Sequence, residues 1–136
     1  GDFLRNGRIR TASNDLLIAL MLARSEAAKN NRPASVSGVS RSAADNWGGG
    51  WSVWVDFNEN RTRDAGEDVR LFEPVDGTVA MREVNGVQEV RFLRSGMRRV
   101  GSNVISISIC DNRTGETGRT VTVNGLGRTE VDLLTC

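Results

Sequence analysis

Residues Ile9 to Ser37 read IRTASNDLLIALMLARSEAAKNNRPASVS, and the point at which their helical repeat stops decides the fold. Ile9, Ala12, Leu16, Leu20, Ala23 and Ala27 recur at steps of three and four residues, which on a helix forms one apolar stripe. Leu17 and Met21 widen that stripe, and Arg10, Asp15, Arg24, Glu26 and Lys29 fall largely on the outside. Working back, the pattern reaches Phe3, and no proline or glycine interrupts it after Gly7. Working forward, Pro33 disfavours helical geometry at Arg32, so the helix ends near Asn30. The packing of a core helix accounts fully for the stripe.

Beyond Pro33 the period changes from 3.6 to 2. Trp51, Val53, Val55 and Phe57 share one face of a strand, with Trp54 on the other. Ile105, Ile107 and Ile109 alternate with Ser106 and Ser108. Further short runs (ASVSGVSR, VRLFEP, TVAMREV, QEVRFL, RTVTVN and TEVDLL) are separated by turn residues such as Asn85-Gly86 and Asn124-Gly125. The expectation is an α+β chain forming one domain: a helix over residues 1–31, then a head of seven to eight strands over residues 32–136.

Composition removes several classes of chemistry. With no histidine there is no Ser-His or Cys-His nucleophile pair and no His-ligated zinc, and two cysteines cannot complete a structural zinc site. WGGGW, Trp47 to Trp51, lacks the Gly-Lys-Ser/Thr of a phosphate loop and reads as a mobile loop or bulge before a strand. Asn60-Arg61-Thr62 and Asn112-Arg113-Thr114 have the spelling of glycosylation sequons, which arises often by chance. A net charge of +1 makes no global case for nucleic acid or membrane. Arg91, Arg94, Arg98 and Arg99 nevertheless stand together and could form a local basic patch. Cys110 ends a strand and Cys136 is the last residue. A bond between them would close about 27 residues and add about 3–4 kcal/mol; the alternative is two separate thiols, as in a reducing compartment.

One segment invites a metal. From Asp56, the residues Asn58, Asn60, Thr62, Asp64 and Glu67 fall on the oxygen-ligand register of a calcium loop. The position that should be glycine is Arg61, and the flanks read as strands where helices are required. The expectation is therefore a strand–turn–strand with a solvated polar tip and no metal or cofactor. Asp56, Glu59, Asp64, Glu67 and Asp68 read the same way, as a charged hairpin and not as an acid/base pair.

Three blocks carry a resemblance. Asn14, Leu16, Ala19, Ala23, Arg24, Ser25, Glu26 and Ala27 form the first; Trp51, Trp54, Val55, Asp56, Asn58, Asn60, Asp64, Gly66 and Glu67 the second. Cys110, Asp111, Asn112, Arg113, Arg119, Val121, Val123, Gly127 and Arg128 form the third. In this order they resemble type IV pilin-like minor subunits of the FimT/FimU and GspH group. The resemblance implies a pilin-like fold and no enzymatic activity. Residues 1–31 would be the second half of a long helix whose first, apolar half anchors such proteins in the inner membrane.

The same resemblance implies a periplasmic head, a pilus on the cell surface after assembly, and other minor pilins and the major pilin as partners. Its oxidising setting supports a Cys110–Cys136 bond. Some members of the group bind DNA through a Gly-Arg-x-Arg motif. Here the stretch is Gly127-Arg128-Thr129-Glu130, an acid in place of the second arginine, so nucleic acid through Arg113, Arg119 and Arg128 is the lesser expectation. A third reading within the group is the minor pseudopilin of type II secretion.

Overall fold

The computed structural model describes residues 1–98, 104–115 and 117–136; Arg99 of the arginine group lies outside the described residues. Helix α1 spans Asp2–Asn30. It ends where Asn31 turns left-handed (φ 54°) and donates its N–H to the Ala27 carbonyl, a turn Asn tolerates well. Asn30 adds a side-chain bond back to the Glu26 carbonyl at 2.9 Å.

Eight strands follow: β1 Ala34–Gly38, β2 Trp51–Val55, β3 Asp68–Phe72, β4 Ala80–Glu83, β5 Glu89–Phe92, β6 Ile105–Cys110, β7 Gly118–Val123 and β8 Thr129–Leu134. They form two antiparallel four-stranded sheets, ordered β3-β2-β1-β5 and β4-β6-β7-β8. Both sheets pack on α1, which touches β1, β2 and β5 on one side and β6, β7 and β8 on the other. Ile9, Leu16, Leu20, Ala23 and Ala27 are buried along that helix, as are Ala12, Ser13 and Ala19. They join Val36, Val53, Val90 and Phe92 of the first sheet and Ile107, Ile109, Val121 and Val123 of the second in one core. The alanines matter as much as the leucines, because a small side chain lets two sheets approach one helix face closely.

Two outer features of α1 depart from its pattern. Met21, placed by periodicity at the edge of the stripe, is exposed, and so is Ile18. Arg24, placed outside, turns back onto the head: its Nε donates to the Gly96 carbonyl at 2.9 Å and its Nη2 to the Leu126 carbonyl at 3.4 Å. One arginine thus ties the helix to the turns after β5 and β7.

The segment between β1 and β2 is ordered packing, in place of the mobile loop its glycines suggest. Trp47 is fully buried, and its indole N–H donates to the Val87 carbonyl at 2.8 Å. Asp45, Asn46 and Trp47 line the outer edge of β4: Met81 N–H reaches Asp45 Oδ1, Glu83 N–H reaches Asn46 Oδ1, and Trp47 N–H reaches the Met81 carbonyl. Gly50 is required here, since its φ is 96° and a Cβ would strike the Phe72 carbonyl.

Cys110 and Cys136 are disulfide-bonded, with Cα atoms 6.0 Å apart. The bond fastens the end of β6 to the residues after β8, with Gly118 beneath it, where any Cβ would strike the sulfur of Cys136. Replacing both cysteines by serine is expected to cost about 3 kcal/mol, read as a lower urea midpoint with a somewhat larger m-value, since the unlinked unfolded chain is less compact. Leu16→Ala, at the centre of the stripe, is expected to cost about 2–5 kcal/mol in the same assay.

Candidate interaction surfaces

The β2–β3 loop, residues 56–67, leaves the sheet as a strand–turn–strand, but its carboxylates divide into two kinds. Asp56 is fully buried, and its Oδ2 accepts from the Arg61 N–H at 2.8 Å and from Arg91 Nη2 at 2.7 Å. Its Oδ1 accepts from the Asn60 N–H at 3.2 Å. Glu67 is also buried: Oε1 accepts from the Asp64 N–H at 2.8 Å and Oε2 from the Phe57 N–H at 3.0 Å. These two acids are internal clamps closing the loop at either end, a correction to the solvated tip expected for all of them. Between them, Asp64 Oδ2 accepts from both Asn58 and Asn60 side-chain amides.

The calcium-like register therefore spends its oxygens on amides and on one guanidinium. Among the described residues no group of three or more acids and cysteines is placed to hold a metal ion. Arg61 adopts the left-handed turn (φ 64°) that a calcium loop assigns to glycine, and Glu59 does likewise (φ 55°). A side chain thus did not prevent the sharp turn; Arg91, 35 residues away, supplies the cation that faces Asp56.

Burial pushes the Asp56 carboxyl up, but the Arg91 hydrogen bond, the Arg61 N–H, the Arg91 charge and the Asn60 N–H together outweigh it and hold the pKa below its ordinary value. At the loop's exit Arg63 grips Asp68 with two bonds of 2.6 and 2.7 Å, and that hydrogen bonding lowers the Asp68 pKa.

The arginines do not gather into one surface. Arg91 is buried against Asp56 and Arg98 is buried, leaving Arg94 as the exposed one of the three described members of that group. Arg113 lies on Asp111, with Nη2–Oδ2 at 2.8 Å, and its Nη1 reaches Asn6 Oδ1 of the helix. The hydrogen bond from Arg113 leads the causes that lower the Asp111 pKa. Arg119, second in β7, donates to the Gly118 carbonyl, whereas Arg128 follows the turn at the other end of that strand and pairs with Glu130 at 3.3 Å. Arg119 and Arg128 stand about 16 Å apart along the sheet at ~3.3 Å per residue. Two of the three candidate arginines thus carry their own acid.

The profile of the family described as type II transport protein GspH matches residues 12–127. The chain belongs to that family. Two solved structures share its fold, both of the type IV minor pilin FimU from Pseudomonas aeruginosa PAO1. One, in space group P65, is 24% identical with a TM-score of 0.73, over 90% of this chain and 91% of that one. The other, in space group P21, is 23% identical with a TM-score of 0.74, over 96% and 92%. No curated protein sequence matches the chain. The family's proteins are structural subunits, not enzymes. Among the described residues no helix is long and apolar enough to cross a membrane.

Sequence reasoning missed Arg91, Arg24 and the Asp45–Trp47 edge cover, none of which has a local pattern that announces it. Arg91→Ala is expected to cost about 3–5 kcal/mol by leaving Asp56 charged and buried. Because the Asp56 pKa is lowered on folding, its contribution is complete above the ordinary carboxylate range and is lost as pH falls through the folded value. Asp56→Asn should flatten the acid limb of stability from the ordinary carboxylate range downward, measured by urea unfolding, while lowering stability near neutral pH. Arg61→Gly, by contrast, should be neutral or stabilising by up to about 1 kcal/mol, the reverse of most Arg-to-Gly changes.

Proposed function

We propose that the chain is the head of a minor pilin, a non-enzymatic subunit that joins other minor pilins and the major pilin in a complex that starts pilus assembly at the tip. What supports this reading above all is the shared fold with FimU across nine-tenths of both chains, within a family of structural subunits. The work is packing: a head of two sheets on one helix, presenting strand edges and loops to its neighbours. On this reading an apolar segment preceding residue 1 anchors the subunit in the inner membrane, with the head in the periplasm until assembly carries it to the cell surface.

A second reading, the minor pseudopilin of type II secretion, has the family's description in its favour. Deleting the full-length gene separates the two. Sharp loss of surface pili by electron microscopy supports the pilin; normal piliation with loss of exoprotein secretion supports the pseudopilin. DNA binding has less support, since Arg113 lies on Asp111 and Arg128 on Glu130. A gel shift with duplex DNA is expected to show no salt-sensitive complex at high micromolar protein.

A further inference from the structure

Each sheet has two edges, and the protein treats them differently. The β4 edge is covered by Asp45, Asn46 and Trp47, and β5 is followed by a turn that brings Arg98 back against Phe92. The β8 edge is open but carries the acids Glu130 and Asp132. Among the described residues β3 pairs as a strand with β2 alone, and it exposes Val69 at 40% and Leu71 at 62%. An open edge with apolar side chains is what soluble proteins ordinarily avoid.

The inner face of β3 adds to this. Pairing Trp51 with Phe72 and Val53 with Arg70 puts Phe72 and Arg70 on the core-facing side of the sheet. Phe72 stacks on Trp51 with ring centroids 5.7 Å apart, and the Arg70 guanidinium covers Phe72 at 4.4 Å. Between this ladder and the first turns of α1 lies a cavity of about 660 Å³, walled by Phe3, Leu4 and Ala12 on the helix side and by Phe72, Pro74 and Val75 on the other. Two donors on the ladder are unused: Trp51, buried, has an indole N–H without a hydrogen-bond partner, and Arg70 has no acid partner among the described residues. Of the other charges lining the cavity, Arg8 and Asp76 pair with each other at 3.4 Å, while Asp15 and Glu73 are acids.

We propose that β3 is a strand-addition site for an extended segment of a neighbouring subunit that carries an acid opposite Arg70 and an apolar side chain opposite Phe72, directed into the cavity. Main-chain ladder bonds supply the attachment, and the cavity and Arg70 supply the selectivity. Charge complementarity chooses this occupant, because the cross-strand position next to Arg70 takes an acid and rejects a second cation. The identity of the partner as a pilin rests on the function proposed above; the site itself does not.

The probe is the synthetic peptide acetyl-Ser-Val-Ser-Glu-Ser-Val-Ser-amide, followed by two-dimensional ¹⁵N NMR on the 136-residue chain. Expected are shifts of the β3 amides and of the Trp51 indole N–H. A Lys-for-Glu peptide should bind several-fold more weakly, and a peptide with proline for the central serines should not bind. Arg70→Glu, an exposed change that leaves the fold intact by circular dichroism, should reverse the Glu/Lys preference. No β3 shifts up to millimolar peptide overturns the proposal. Equal response to the Lys peptide also overturns it, since Asp15 and Glu73 would then set the preference, as does equal response to the proline peptide. These failures leave the pilin reading standing, which the gene deletion decides separately.

Discussion

Everything in this molecule depends on one helix face serving as the inner wall of two sheets at once. Ala12, Ala19, Ala23 and Ala27 keep that wall thin, while Leu16 and Leu20 reach between the strands. Neither sheet can close its core without the stripe, and the stripe has no other cover. Folding of the head and docking of α1 are therefore one event, in keeping with the cooperativity of small domains.

The same economy governs the polar groups. The loop between β2 and β3 is held by Asp56 and Glu67, whose oxygens accept loop amides. Arg91 of β5 meets the remaining charge of Asp56 from across the sheet. A buried carboxylate is tolerable when so many donors converge on it. Those donors also leave little for an added cation, so the loop's alternating acids and amides serve the loop itself.

The helix and the eight strands were legible because their signals are local. A 3.6-residue stripe ending at Pro33 and the two-residue alternation of Ile105–Ile109 each need only neighbours in the chain. The Asp56–Arg91 pair, the Arg24 ties and the cover over β4 join residues far apart in the chain, and no spacing within either partner reveals them. Asp56 and Asp64 look alike in sequence, yet one is fully buried and the other only half-buried. That difference is set by which way the strand end points into the core. The arginine group failed as a patch for a related reason: adjacency in sequence put Arg91 and Arg98 inside and Arg94 outside.

The disulfide has a mechanical meaning. Cys136 is bound to Cys110 at the end of β6, a strand flanked by β4 and β7. A load applied at the C-terminus is delivered to that interior strand instead of to the edge strand β8. Peeling β8 away one ladder bond at a time from Leu134 is thereby blocked, and the second sheet resists as a unit.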